Sequence, residues 1–284
     1  MKTVLLLAAL IWTGAVVGQT EPDFSLYRQV GGFYNPALVK MDTFSCYVDM
    51  RFSLQNGGAY IKQPQAYVSC AGKFKRLRGV FGLTYFYDSY SFYNQNWIGI
   101  SYTQSIEVNK HQELILAGRV SFVATYLQLD KVQAISANPG YSSERINNIN
   151  PDIDIGFAYK IYDGVIGVGV KHLLSPTVNA IGMTFVTNPS AFYFLGAYDV
   201  PIKHLIISPS VFIKKETTWS YQGTLAFDYK KFFSIGATLV YPTMRYKVFV
   251  GTRAIKGLSV FLAFDGGFID QIMNGEPYVS YSFE

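Results

Sequence analysis

The sequence predicts an all-β fold: a single antiparallel transmembrane β-barrel of about fourteen strands, preceded by a cleaved signal peptide. Three observations predict it. From about Thr43 to the C-terminus, apolar and polar residues alternate with period 2, the mark of strands with two unlike faces. The chain is 50% hydrophobic and 17% aromatic with only 15% charge, so apolar surface is abundant. Yet no stretch after the leader reaches the run of about 20 apolar residues that a spanning helix requires. Apolar residues used in this way fit the core of a β-sandwich or a barrel wall facing lipid. Three further features favour the barrel: strands of about ten residues, aromatics gathered near strand ends (85–93 and 229–233), and a polar face rich in Gly, Ser and Thr.

The first element, residues 1–18, reads as the leader. Lys2 supplies the basic start, Val4 to Trp12 the apolar middle and Ala15-Val16-Val17-Gly18 the small-residue exit, so cleavage is expected before Gln19. Residues 19–42 follow as a segment expected in the periplasm or inside the lumen, and 43–284 make the barrel. Strands are expected near 43–53, 62–72, 79–89, 95–107, 112–127, 152–161, 164–172, 190–199, 204–214, 218–229, 231–241, 244–254, 257–267 and 276–283. In the sixth, Ile153, Ile155, Phe157 and Tyr159 take one face, and Asp152, Asp154, Gly156, Ala158 and Lys160 the other. In the tenth, Trp219, Tyr221, Leu225, Phe227 and Tyr229 oppose Ser220, Gln222, Thr224, Ala226, Asp228 and Lys230. The second face should be wet.

Alternate connections fall at one rim, and they sort by length. Gly72 to Arg78, Val108 to Gln112, Tyr162-Asp163-Gly164, Val200 to Lys203, Lys230-Lys231 and Ile255-Lys256-Gly257 are short; Leu129 to Pro151, Leu173 to Pro189 and Gly266 to Gly275 belong to the long set. Outer-membrane barrels keep short turns in the periplasm and long loops outside, which assigns the rims. The closing segment Tyr278-Val279-Ser280-Tyr281-Ser282-Phe283 has the form of an aromatic-ended terminal strand.

Only two cysteines occur, Cys46 and Cys70, which excludes a disulfide-stapled scaffold. They lie symmetrically about Gly58, so a hairpin tip at Asn56-Gly57-Gly58 would set them face to face, either bridged or as two free thiols.

The chemistry of a catalytic site is missing. No nucleotide loop, nucleophile elbow or His-Glu-x-x-His occurs, and His111, His172 and His204 lack metal-ligand spacing. Asp88, Asp152 and Asp154 are the only acidic candidates, and a wet lumen accounts for the last two. We therefore expect no enzyme activity, cofactor or metal. The formal charge of +5 is spread along the chain with no nucleic-acid motif, which argues against a nucleic-acid partner. Much of that charge falls on the short turns: Lys73, Lys75, Arg76, Arg78, Lys110, Lys203, Lys230, Lys231 and Lys256. Such side chains either meet lipid phosphates or form a docking rim for an acidic periplasmic protein.

Particular residues carry a family likeness. Pro22-Asp23-Phe24-Ser25-Leu26-Tyr27 followed by Tyr34-Asn35-Pro36-Ala37 resembles the opening of the PorP/SprF family. The blocks 151–159 and 167–176 look like two further family segments in the expected order. This resemblance implies an outer-membrane component of the Bacteroidetes type IX secretion and gliding machinery. Its implied partners are outer-membrane lipid, a periplasmic lipoprotein ring with a peptidoglycan-associated protein, and secreted adhesin cargo. Asn35, Pro36 and Ala37 would be a structural marker, with Pro36 holding Asn35 extended at a rigid lead-in to the first strand. The alternative is an outer-membrane channel or porin for small solutes.

Overall fold

A computed structural model describes residues 22–39, 44–54, 61–74, 79–90, 93–128, 145–180, 183–230, 232–255, 257–268 and 273–283. Its strands are β1 (Phe44–Leu54), β2 (Ile61–Phe74), β3 (Gly79–Tyr90), β4 (Tyr93–Asn109), β5 (Gln112–Gln128), β6 (Arg145–Ile161) and β7 (Gly164–Lys171). A small hairpin of β8 (Thr177–Ala180) and β9 (Met183–Val186) follows. Then come β10 (Ala191–Tyr198), β11 (Val200–Ile202), β12 (Leu205–Lys215), β13 (Trp219–Tyr229), β14 (Phe233–Tyr241), β15 (Arg245–Ile255), β16 (Leu258–Gly267) and β17 (Met273–Phe283). Because β10 and β11 follow one another across Asp199, the fifteen strands of the main sheet make a wall of fourteen. Every neighbour pair is antiparallel, and β1 against β17 together with β10 against β12 leaves no open end to the sheet.

The alternation in the sequence becomes the two faces of this wall. Ile98, Ile100, Val120, Phe122, Ile155, Leu225, Leu239 and Leu262 point outward and are exposed, as hydrocarbon-facing side chains must be. Aromatics flank this band, with Trp219, Tyr221 and Tyr241 at one rim and Tyr229, Phe233 and Tyr281 at the other. No helix among the described residues is long and apolar enough to cross a membrane. The short turns use left-handed backbone at Tyr162, Lys203 and Lys230, with φ of 51°, 54° and 50°. Positive φ at a turn's central residues matches the twist of the strands it joins. Phe44 and Phe283 pair at the same rim as these turns, which the length rule makes periplasmic. Cys46 and Cys70 stand opposite one another on the outer face of β1 and β2 and are joined as a disulfide.

Two expectations need correction. The sixth strand starts at Arg145, not near 152, and the last at Met273, not near 276. In the sequence Pro151 marks the end of a loop, but in the structure it pairs with Phe122 inside β6. β6 runs on beyond the end of β7 here, where Leu173 N–H donates to the Ile153 carbonyl at 3.0 Å. The Pro151 nitrogen points to that same open side, so the missing N–H breaks no ladder bond with β5. The second correction concerns the lumen, expected to be small, polar and wet. Ser45, Ser69, Thr84, Ser101 and Thr103 do point inward, but so do Tyr47, Tyr67, Phe86, Trp97, Tyr193, Phe212, Phe249, Phe261 and Tyr278. Their partners are supplied by residues 22–39, which fill the middle of the barrel.

Candidate functional site

The N-terminal segment enters the lumen as a plug, and its path follows from where its polar groups find partners. Pro22 lies beside Gln95, His172, Asn188 and Glu216 near the outer end. Asp23 is bound by Gln222 at 2.5 Å and Lys247 at 3.0 Å. The Ser25 and Leu26 N–H groups donate to Glu276 at 2.6 and 3.0 Å, and the Tyr27 hydroxyl meets Ser210 and Thr224, both at 2.8 Å. A turn at Leu26–Val30 brings Arg28 to Asp199 at 2.9 Å. A single helical turn, α1 (Gly31–Tyr34), climbs back until Tyr34 donates to the Pro22 carbonyl at 3.0 Å.

Phe33 is the centre of the plug's apolar contacts. The rings of Phe24, Tyr34, Tyr67, Phe86 and Trp97 lie 5.1, 4.9, 5.0, 5.3 and 6.0 Å from it, and Lys171 Nζ sits 3.8 Å above it. Full burial of such a ring contributes about 1.5–3 kcal/mol, and edge-to-face neighbours add to that. Arg119 ties α1 to the wall. Its guanidinium donates to the Gly32 and Phe33 carbonyls at 2.8 and 2.9 Å, pairs with Asp154 at 2.6 Å and lies over Trp97. The free carbonyls at the end of so short a helix are thereby satisfied from the barrel side.

The marker residues come next. Asn35 accepts from the Ala37 N–H at 2.8 Å, capping the 3-10 turn Pro36–Leu38, and its amide donates to the Phe157 carbonyl at 3.0 Å. Thr103 donates to the Pro36 carbonyl at 3.1 Å. This turn rests on Gly156 and Gly169, paired across β6 and β7, where any side chain would overlap it. Sequence reasoning placed Asn35, Pro36 and Ala37 before the first strand but gave no sign of this glycine seat.

Electrostatics reinforce the plug. Burial works to raise the Asp23 carboxyl, but Lys247, Lys214 and Arg51 outweigh it and hold that carboxyl well below the ordinary range. The fold also joins residues that the sequence kept apart: Asp152, Asp154 and His172 bring ligand atoms within 4.8 Å of one another. Asp152 and Asp154 were expected to face water, yet both are buried. Asp154 already neutralises Arg119 and accepts the His172 N–H at 2.9 Å, and Asp152 pairs with the His172 ring. These side chains thus join the Arg119 guanidinium and the residue that follows β7 in one buried network.

Below the plug a cavity of about 520 Å³ opens toward the short-turn rim. Ser25, Tyr27 and Arg28 roof it, while Asp163, Asp199, Asp228, Arg253, Phe249, Phe261 and serines of β12 to β17 line it. Across the Arg28–Asp199 pair lies a second lobe of about 320 Å³, bounded by Leu38, Lys160 and Tyr162. Of the basic residues assigned to this rim, Lys73, Lys110, Lys203 and Lys230 are exposed at the ends of strands or in turns. Lys75, Arg76, Arg78, Lys231 and Lys256 lie outside the described residues, as do the leader and the tip at Asn56-Gly57-Gly58.

Comparison with known proteins adds a family and a fold. The sequence matches the family described as type IX secretion system membrane protein PorP/SprF over residues 16–278. No curated protein matches it. Among solved structures, the Ralstonia pickettii toluene transporter TbuX superposes with a TM-score of 0.56 at 11% identity, covering 88% of this chain and 92% of that one. The CymD monoaromatic hydrocarbon channel gives 0.55 at 10% identity, covering 92% and 94%. A Pseudomonas aeruginosa FadL homologue gives 0.51 at 10% identity, covering 88% and 93%. At such identities the likeness speaks for the barrel fold alone.

Proposed function

Because the chain belongs to the PorP/SprF family of type IX secretion system membrane proteins, we propose that it works there as a non-enzymatic scaffold, docking periplasmic components and serving delivery of secreted surface proteins. It is an outer-membrane β-barrel component of that machinery. The observation that carries the scaffold reading is the filled lumen: a plug packed around Phe33 leaves the surfaces, not a through-passage, to do the work. Exposed Lys73, Lys110, Lys203 and Lys230 offer donors for acidic partners at the short-turn rim, and Lys75, Arg76, Arg78, Lys231 and Lys256 belong to the same connections. The partners the family likeness suggests are a lipoprotein ring and a peptidoglycan-associated protein on the inside, with adhesin cargo outside.

The test is charge reversal of Lys73, Lys75, Arg76 and Arg78 to Glu, followed by pull-down of periplasmic proteins at low and high salt. Docking predicts salt-sensitive capture that the reversal abolishes. Unchanged capture would leave these side chains as ligands of lipid phosphate. A small-solute channel is the second reading, favoured by the open periplasmic cavity. Planar-bilayer recording separates the two, since stable conductance from the intact chain contradicts a plugged scaffold.

A further inference from the structure

We infer that the outer end of β6 is a strand-pairing edge, where an extended segment of a secreted polypeptide adds to the barrel wall. The edge exists because the wall is notched there. β5 and β6 stay paired out to Gln128 and Arg145, whereas β7 ends at Lys171, opposite Ala191 at the start of β10. The last main-chain contact on this side of β6 is the Leu173 N–H on the Ile153 carbonyl. From Arg145 to Asp152, no main chain among the described residues pairs with that side. Antiparallel ladders turn alternate residues to alternate neighbours, so Pro151, Ile149, Asn147 and Arg145 present their main chain where Ile153 does. β5 and β6 pair without a bulge over this stretch, which keeps the alternation intact. Pro151 offers a carbonyl only, while Ile149 and Asn147 each offer an N–H and a carbonyl, repeating about every 7 Å.

The hairpin β8–β9 does not close the notch. β8 pairs only with β9 and reaches β6 through side chains: the Asn148 and Asn150 amides both donate to the Thr177 carbonyl, each at 2.7 Å. Those two asparagines share the lumen face with the buried Asp152, so β8 is held on the lumen side of the edge. On the other face Ile149 is 67% exposed, and Phe122, the β5 partner of Pro151, is exposed beside it. This is the face that meets hydrocarbon, where unpaired main-chain groups are costly and barrels close their sheets to avoid them.

Donors and acceptors in this alternation are answered by another extended main chain. Side chains set its pattern: apolar residues beside Ile149 and Ile153 toward lipid, small polar ones beside Asn148 and Asn150 toward the lumen. A second copy in the same membrane cannot supply it, because a two-fold axis along the membrane normal would cross the two tilted β6 strands instead of aligning them. The inference rests on the delivery reading for its natural occupant, a secreted polypeptide in transit, and on the wall alone for its chemistry.

The intact barrel in detergent micelles provides the test. Thermal melts of proline variants read whether the edge is open. Ile149→Pro gives up an N–H that no strand uses and should leave the midpoint unchanged, while Asn148→Pro breaks the ladder with Thr125 and should lower it by about 3 °C or more. Fluorescence anisotropy reads the pairing, with a labelled heptapeptide of valines alternating with serine and threonine. In antiparallel pairing the lipid-facing residues turn their main chain to the edge. Methylating the valine nitrogens should therefore weaken binding about tenfold or more, and methylating as many of the other nitrogens should not. Ile149→Pro should weaken binding of the unmethylated peptide about tenfold, and Ile149→Val should leave it intact. Equal midpoint losses in the two proline variants, no saturable peptide binding, or equal affinity for the two methylated peptides would each overturn the inference. Charge reversal at the lysine rim should leave peptide affinity unchanged, so failure of the docking reading and failure of this one are told apart.

Discussion

Placing a methyl group at Gly156 should unseat the plug without opening the barrel. The Cβ of Gly156→Ala would overlap Asn35 Oδ1, and it would stand 2.9 Å from the Ala37 nitrogen and 3.0 Å from Pro36 Cδ. These atoms belong to backbone or to a short, capped side chain, so none can swing aside. The turn must lift instead. Lifting forfeits the bond from Asn35 to the Phe157 carbonyl, about 1 kcal/mol, and the cap on Ala37 N–H, about 1 kcal/mol. Overpacking adds about 1–3 kcal/mol, for a local cost of about 3–5 kcal/mol. The wall is spared, because β5, β6 and β7 remain paired on both sides of the substitution. At about 1.4 kcal/mol per tenfold, amides of residues 35–38 should exchange with solvent at least ~100 times faster than in the parent. Hydrogen exchange with mass spectrometry in micelles reads this, with the wall peptides as internal controls. Asn35→Ala, which loses the bonds without the clash, should give a smaller acceleration. Exchange of residues 35–38 in Gly156→Ala within about threefold of the parent, far below the ~100-fold worked above, would refute the glycine seat.

Three further outcomes are expected. Arg119→Met leaves Asp154 buried without its main partner, a loss of about 3–5 kcal/mol, and urea titration of the plug's protection should recover part of it in Arg119→Met with Asp154→Asn. Asp23 has a folded value held below its ordinary 3.8, so its contribution is fully present above that pH and is lost only as pH falls toward the folded value. Plug protection should thus stay flat through this group from neutral pH to about 4, decline below, and lose that acid limb in Asp23→Asn. Replacing Cys46 and Cys70 by Ser removes a cross-link across 24 residues, for which loop closure sets an upper value of about 3.5 kcal/mol; a lower thermal midpoint in micelles, abolished by prior reduction of the parent, is the expected reading.

The wall was legible because period 2 is a local property, and each strand reports its own faces. Ile98 and Ile100 against Gly99 and Ser101, or Ile153 and Ile155 against Asp152 and Asp154, need no knowledge of the rest of the chain. The contents of the lumen were not legible. Tyr67, Phe86, Trp97 and Phe212 lie on the inward face of strands whose outward face is also apolar, and alternation cannot say which of two greasy faces meets lipid. Asp152 and His172 are brought together only by the pairing of β6 with β7, which sequence spacing does not encode. Pro151 misled because a proline ends a central strand but not one whose neighbour has already stopped.

The plug's partners carry a consequence for biogenesis. Residues 23–26, which precede every strand of the wall, are held by Lys247 and Glu276, some 223 to 251 positions later. A chain broken off before β15 would leave Asp23 without its cation and Ser25 and Leu26 without their acceptor. The same β17 that supplies Glu276 also zips the cylinder shut against β1. Full seating of the amino end and closure of the wall therefore draw on the same strand, and a plug with every bond made certifies that the polypeptide reaches its last strand.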